Sequence, residues 1–314
     1  MEQFTLPTPY PVGDVHFYYE KIDGESVLFD CGPPTREAED FFKNKFPYKE
    51  VKYLIFTHIH QDHFGMAYWF SENTDATLLI PELDIVKLES DIPRLKFIKE
   101  YMESEGFTKK EVEDLVDIMR ILRKHIKTPK RFEVMEKYLE KSSLPIKAVH
   151  CPGHSQTDYV YLYKNYAICG DVVLPGIFQT PLLDLDFKTL KGKYDNYTNY
   201  CQTIEKIANL SDYKFLPGHN NVVDNPLNVV KEYISKILVR SHVILNLGIE
   251  KKARDLLLAL DPDAMENPFM AYVKTSNIIF FRTFLKNPEL LKKTLQKVNL
   301  FKDLKDKWEK LFGK

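Results

Sequence analysis

The feature that most constrains this chain is the stretch "THIHQDHFG" at residues 57–65, where three histidines and one aspartate fall within six positions. Neutral imidazole and carboxylate groups are good ligands for divalent metal ions. The apolar run "VKYLIFTH" just before it predicts a buried strand that ends at His58. Side chains alternate along a strand, so His58 and His60 would point the same way, and a turn could bring Asp62 and His63 to the same volume. The motif therefore predicts a metal site at a strand end.

Three later segments also place a metal-binding side chain where a predicted strand passes into a loop. His154 lies in "CPGHSQTD", Asp171 in "AICGDVVLP" and His219 in "FLPGH". Loops at the ends of strands are where sheet scaffolds present functional groups. A single histidine of this kind is more often structural, but the series predicts one site assembled from distant parts of the chain.

The spacing of apolar residues divides the chain into β-rich and helical segments. The first 30 residues are predicted to be β-structure, with two strands joined at "IDGES". Residues 82–145 read as a helical insertion, in which Thr108 and Glu111 form a capping box. Strands then resume, with a hairpin predicted to turn at 164–165, and residues 226–314 are predicted to be helical again.

Composition limits the partners and the compartment. The 44 Lys and Arg residues against 45 Asp and Glu residues leave a net charge of −1, which argues against a nucleic-acid partner. We see no secretory signal at the N-terminus and no apolar run long enough for a membrane helix, so a cytoplasmic location is expected. The cysteines form no C-x-x-C pair, and free thiols are predicted for Cys31, Cys151, Cys169 and Cys201.

The order H-x-H-x-D-H, G-H, G-D and G-H resembles the motif series of the metallo-β-lactamase superfamily, over most of residues 10–225. The resemblance implies an α/β (α+β) fold: an αββα sandwich of two mixed sheets with the metals at one edge. It also implies a domain over 1–225 that carries the insertion at about 82–145, followed by a helical C-terminal extension over 226–314. Asp30, in "FDCG", matches a carboxylate that supports the ligands.

The resemblance further implies the roles of the motif residues. His58, His60 and His154 would bind one metal, Asp62, His63 and His219 would bind a second, and Asp171 would bridge them. Two divalent ions are expected, with zinc favoured and iron or manganese as alternatives. A hydroxide between the metals would be the nucleophile, and Asp62 and Asp171 are the predicted catalytic residues.

The sequence motifs constrain the branch of the superfamily less than they constrain the ligand positions. Asp171 stands where one large subclass of zinc β-lactamases has Cys, and no Tyr follows it as in lactonases. The pattern is most similar to glyoxalase II-like hydrolases, which implies a small-molecule thioester or ester as substrate, with Phe178 and Gln179 contacting it. Lactonase or phosphodiesterase/nuclease activity at the same site, and a mononuclear iron persulfide dioxygenase, remain alternatives. A homodimer remains open.

Overall fold

Two β-sheets stack face to face in the computed structural model, which describes residues 1–10 and 12–313. The first sheet has its strands in chain order: β1 (Glu2–Leu6), β2 (Val15–Ile22), β3 (Glu25–Phe29), β4 (Val51–Ile55), β5 (Thr77–Ile80) and β6 (Glu133–Val134). The second sheet has the spatial order β10-β9-β8-β7, formed by β7 (Lys147–His150), β8 (Tyr159–Tyr163), β9 (Tyr166–Gly170) and β10 (Lys214–Pro217). Both sheets are mixed, because β3–β6 and the β9–β10 pair run parallel while the other neighbours run antiparallel.

Alternation along the strands explains the layering. In β3, Leu28 faces an outer hydrophobic cluster while Val27 and Phe29 face the cluster between the sheets. In β8, Tyr161 lies between the sheets and Val160 faces the opposite outer cluster. Each sheet therefore buries both faces, which requires a helical layer on each outer side.

Helices supply these outer layers. The helices before the second sheet are α1 (Arg36–Lys45), α2 (Gln61–Phe64), α3 (Ala67–Asn73), α4 (Glu82–Glu89), α5 (Ile92–Ser104), α6 (Lys109–His125) and α7 (Met135–Lys141). The later helices are α8 (Asn196–Asn209), α9 (Pro226–Leu247), α10 (Ala253–Leu260), α11 (Pro268–Lys286), α12 (Pro288–Lys297) and α13 (Phe301–Phe312). Short 3-10 helices lie before β4, at Tyr48–Glu50, and between α10 and α11, at Pro262–Glu266. α1 and α3 cover the first sheet, and α5, α6, α8 and most of the C-terminal helices share the core outside the second. The predicted αββα sandwich is confirmed.

Local signals in the sequence explain several boundaries. Asp23 and Gly24 both have positive φ and join β2 to β3 by the two-residue turn that such hairpins favour. The hairpin of β8 and β9 turns at Lys164–Asn165, as predicted. Thr108 and the side chain of Glu111 form the predicted capping box at the start of α6.

The insertion differs from the expected purely helical segment. Within 82–145, Glu133–Val134 forms a short edge strand that pairs with β5, because the chain passes the open edge of the first sheet there. The insertion also contacts the C-terminal helices through ion pairs: Arg282 lies 2.7 Å from Glu105, and Arg254 lies 2.8 Å from Glu111. The division into 1–225 and 226–314 stays a prediction.

The cysteines are free thiols, and the helices can be examined for membrane-spanning segments. Cys31, Cys151, Cys169 and Cys201 are buried and free, as predicted. Burial raises the pKa of Cys151 to about 12, so that thiol is not a reactive nucleophile at neutral pH. Among the described residues, no helix combines the length and apolar character needed to cross a membrane.

Candidate metal centre

The motif residues meet at one edge of the sandwich because each follows a strand that ends there. The "THIHQDHFG" segment follows β4, and His154 follows β7 in the second sheet. Asp171 and His219 follow the parallel strands β9 and β10, whose carboxyl ends lie side by side. β4 ends at Ile55, three residues before the predicted end, so His58 and His60 lie in a loop and not on the strand. Their side chains converge all the same.

Three imidazoles and a carboxylate make the first group of candidate ligands. His60 Nδ1 lies 2.9 Å from His58 Nε2 and 2.9 Å from His154 Nε2. With a carboxylate oxygen of Asp171, these ligand atoms all lie within 4.8 Å of one another. The distances match nitrogen donors arranged around one ion.

Asp62, His63 and His219 make the second group, in which the ligand atoms also lie within 4.8 Å of one another. Asp62 Oδ2 is 3.3 Å from His219 Nε2 and 4.0 Å from His63 Nε2. All three side chains are buried.

Asp171 lies between the two groups and faces each with a different oxygen. Its Oδ2 is 3.5 Å from His154 Nε2 in the first group. Its Oδ1 is 3.2 Å from His63 Nε2 and 3.7 Å from His219 Nε2 in the second. A carboxylate in this position can donate one oxygen to each of two ions.

Hydrogen bonds on the far side of the imidazole rings fix which nitrogen faces the centre. His154 Nδ1 donates to Thr180 O at 3.0 Å, and His219 Nδ1 donates to Asp14 O at 2.7 Å. His63 Nδ1 donates to Asp30 Oδ2 at 2.8 Å. In the neutral form of each ring, this bond leaves Nε2 with a lone pair aimed at the other candidate ligands, which is the arrangement that metal-binding histidines require.

Asp30 is held for this task by its own contacts. Its Oδ1 accepts the Thr57 backbone N–H at 2.8 Å, and its Oδ2 accepts the Thr57 hydroxyl at 2.8 Å. The residue has a positive φ of 60°, which places its carboxylate beneath the loop that carries His58–His63. Asp30 therefore takes the supporting place that the sequence resemblance implied.

The chemistry of the donor set fits divalent cations. His63 Nε2, His219 Nε2 and Asp171 Oδ1 are buried and have no hydrogen-bond partner within the described part of the chain. Leaving such atoms unpaired costs about 1–3 kcal/mol each, a cost that coordination of a cation removes. Each of these three atoms belongs to the second group or to the shared carboxylate, so the fit includes a second ion as well as a first.

The two groups differ in their proton affinities. Desolvation, followed by the charges of neighbouring imidazoles, holds the pKa values of His58 and His60 well below the usual range. In the second group burial acts in the same direction, but carboxylates outweigh it. Asp171 and Asp62 raise the pKa of His63, and the carboxylate of Asp62, 3.3 Å from His219 Nε2, raises the pKa of His219. His58 and His60 are thus poised as neutral donors, whereas His63 and His219 lie in a negative field.

Gly218 is a functional position that the reading of the sequence missed. A Cβ atom there would lie 2.3 Å from His63 Cε1 and 2.9 Å from Asp171 Oδ1. Only glycine lets the backbone before His219 pass so close to the centre. The repeated P-G-H in the sequence was the available signal.

The two predicted substrate contacts have different surroundings. Gln179 is buried, and its side-chain amide donates to the backbone carbonyl of Asp171, so it supports that loop from within. Phe178 is half-buried, with ring centroids of Tyr233 and Phe281 each 5.9 Å away. The guanidinium of Arg240 lies 4.4 Å from the Phe178 ring centroid.

Comparisons with known proteins agree with this geometry. The family model of the metallo-beta-lactamase superfamily matches residues 11–219. A Bacillus subtilis (strain 168) protein named "Probable metallo-hydrolase YqjP" is 23% identical over 249 residues, which span 74% of this chain and 73% of that protein.

Solved structures show the same fold. The metallo-beta-lactamase family protein TTHA1429 from Thermus thermophilus aligns with a TM-score of 0.68 at 18% identity, covering 91% of this chain and 93% of its own. A beta-lactamase domain protein from Burkholderia ambifaria also gives 0.68, at 15% identity, covering 91% and 87%. At these identities the likeness establishes the fold and leaves the substrate to be argued from the site.

Proposed function

The chain belongs to the metallo-beta-lactamase superfamily, and on that premise we propose that it is a metal-dependent hydrolase of a small-molecule thioester or ester. The observation that carries the proposal is the position of Asp171 between two groups of candidate ligands, with buried donor atoms that lack protein partners within the described residues. Two adjacent cation sites sharing one carboxylate are suited to hydrolysis by an activated water.

Each residue of the centre has a proposed role. One ion would be held by His58, His60 and His154, and the other by Asp62, His63 and His219, with Asp171 shared between them. Zinc is the proposed metal, because a site dominated by imidazoles suits zinc well, and iron or manganese are the alternatives. When bound, the ions would lower the pKa of a water molecule toward neutrality and polarise the carbonyl of the substrate.

The chain's own residues would do the remaining work. Asp62 orients the attacking water through its carboxylate and takes up the proton that is later delivered to the leaving group. Its pKa is low, because His63 and His219 outweigh the effect of burial, so the carboxylate is ionised and able to accept. Asp30 keeps His63 in place, and Gln179 holds the backbone of Asp171.

A substrate panel tests the proposal. The protein is loaded with zinc, manganese or iron and assayed on thioesters, esters, lactones and phosphodiesters, with the chelated protein as the blank. We expect turnover of thioesters or esters and about two metal equivalents per chain. Cleavage of phosphodiesters alone would replace the proposed substrate class. One equivalent of iron with oxygen uptake on glutathione persulfide would favour a dioxygenase.

The setting of the protein is part of the same proposal. Four buried free thiols fit the reducing interior of a cell, and we propose a cytoplasmic location. The homodimer stays a prediction that sedimentation of the purified chain can test.

A further inference from the structure

Arg240 packs against the loop that follows Asp171 and has no acidic partner among the described residues. The guanidinium carbon of Arg240, in α9, lies over the Phe178 ring, 4.4 Å from the ring centroid. Two residues further along that loop, Thr180 O accepts the Nδ1 hydrogen bond of His154. Stacking fixes the plane of a guanidinium while its edge, which carries the N–H donors, stays free to bind an anion.

A lysine one helical turn earlier reaches the same loop. Lys236 Nζ donates to Gly176 O at 3.3 Å. The adjoining Pro175 O accepts from the Asn220 side chain at 2.8 Å, and Asn220 directly follows His219. Lys236 and Arg240 therefore both contact the loop that follows Asp171, and this loop is hydrogen-bonded to His154 and to Asn220.

The absence of acidic partners distinguishes these two cations. Among the ion pairs of residues 1–10 and 12–313, none includes Lys236 or Arg240, whereas Lys231 on the same helix lies 3.0 Å from Asp303 and Arg254 lies 2.8 Å from Glu111. Arg94, by contrast, lies 2.8 Å from Asp184, whose charge outweighs burial and raises the pKa of the guanidinium. Burial alone shifts the pKa of Arg240, and it lowers it.

A groove continues from Lys236 between α9 and α13. Its volume is about 650 Å³. Three lysines and two acidic side chains line it: Lys231, Lys236, Lys307, Glu232 and Asp303. Lys231 is neutralised by Asp303 at 3.0 Å, whereas Lys307 donates only to the Ser235 hydroxyl at 2.9 Å. Glu232 also lines the groove. Even so, Lys307, Lys236 and Arg240, which have no carboxylate partner in the described chain, lie in series from the groove to the loop that follows Asp171.

We propose that Arg240, Lys236 and the adjoining groove bind the phosphorylated tail of the substrate, which makes the substrate a thioester of a coenzyme A-type nucleotide carrier. This inference rests on the proposed hydrolase function. A single carboxylate needs one cation, but several cations along α9 suit a ligand with more than one anionic group. A planar guanidinium binds phosphate, as it binds carboxylate, through two parallel hydrogen bonds, and a phosphate group can carry more than one negative charge. The acyl end then reaches the metal centre while the tail stays on α9.

Equilibrium binding tests the tail site apart from catalysis. Adenosine 3′,5′-bisphosphate is titrated into the metal-depleted full chain, so that its phosphates have no metal to bind. We expect saturable binding that the double variant Lys236→Gln/Arg240→Gln weakens by about tenfold or more, since charge-assisted hydrogen bonds to phosphate are lost. Arg36→Gln is the matched control: an exposed arginine on α1, across the sandwich, which should leave binding unchanged. No binding by the wild type, or equal binding by the double variant, would overturn the proposal.

Steady-state kinetics then tests the tail-binding site separately from the proposed hydrolase activity. An acyl-coenzyme A and the N-acetylcysteamine thioester of the same acyl group are compared in the metal-loaded protein. We expect Arg240→Gln to lower the ratio of the two kcat/KM values by about tenfold. If neither thioester is hydrolysed but esters are, the proposed hydrolase stands and the coenzyme A-type carrier fails; if no thioester or ester is hydrolysed, the proposed function fails even if the bisphosphate binds. If both are hydrolysed and the ratio does not move, the function stands and the tail site fails. Tighter binding and cleavage of a single-stranded oligonucleotide would overturn the small-molecule tail in favour of nucleic acid.

Discussion

The two groups of candidate ligands differ by a single kind of donor, and that difference changes their chemistry. The first group has three imidazoles beside the shared Asp171, and the second has two imidazoles and Asp62 beside the same carboxylate. Asp30 adds a further negative charge behind His63. Histidine pKa values follow this composition: those of His58 and His60 are lowered, and those of His63 and His219 are raised.

This contrast indicates that the groups would hold metals by different means. An imidazole-rich site presents neutral donors at pH 7 and favours zinc or iron, whereas added carboxylates also accommodate manganese. Protons compete with the metal mainly in the second group, because His63 and His219 hold theirs more tightly. On this proposal Asp171 would join two metal sites of unequal affinity, and the variants below test each of the two sites.

Removing the shared carboxylate should have the largest effect, because it acts on both groups at once. Asp171→Asn keeps the side-chain volume but removes the charge that faces His63 and His154. We expect activity to fall by about a thousandfold or more, with loss of one metal equivalent or both. We would measure the loss of activity as turnover of the best substrate, and the loss of metal as the metal content of the purified variant. Activity near that of the wild type would contradict the shared role.

Removing one ligand from a single group should separate the two. His219→Ala takes a donor from the second group only, so one metal equivalent should be lost while the first group keeps its own. We expect activity to fall by about a hundredfold, as for an electrostatic contribution of a few kcal/mol. His58→Ala is the matched variant in the first group. Loss of both ions from His219→Ala would show that the groups do not bind independently.

The convergence of the candidate ligands could be predicted from the sequence because it depends on residue type and on chain position at strand ends. His58 and His60 show the limit of that reading: the strand ends three residues earlier than predicted, yet both rings converge because the loop is fixed by Asp30 and Thr57. The αββα layering could be predicted because the apolar runs and the motif order are local signals.

Other features depend on packing between distant segments. The two-residue strand Glu133–Val134 has no strand pattern of its own and forms because β5 offers an open edge. The surroundings of Phe178 are set by Arg240 and Phe281, which lie far along the chain and whose approach no local pattern announces. The inward direction of Gln179 likewise depends on the backbone of Asp171.

A residue behind the ligands should have a smaller effect, confined to the second group. Asp30→Asn replaces one acceptor oxygen by an N–H donor, which cannot serve both His63 Nδ1–H and the Thr57 donors. We expect metal affinity of the second group to weaken by about 10–100-fold, the usual cost of losing such support. Titration of the chelated protein with zinc measures both steps, and the first step is the internal control. Equal weakening of both steps would mean that Asp30 supports the whole loop and not His63 in particular.

Lowering the pH should have the smallest effect on metal binding, and it compares the metal affinities of the two groups without a mutation. A histidine whose pKa is raised in the folded protein stays protonated to higher pH, so a metal must displace that proton, and metal affinity falls as the pH drops toward and below it. This applies to His63 and His219. His58 and His60 have lowered pKa values, so their nitrogens carry no competing proton until the pH lies well under 6.5. As the pH is lowered from about 8 to about 6, we therefore expect the metal of the second group to dissociate before that of the first. Metal analysis after dialysis at each pH measures this loss. Simultaneous loss of both ions, or earlier loss from the imidazole-rich group, would show that the bound cations cancel the difference in proton affinity that the carboxylates create.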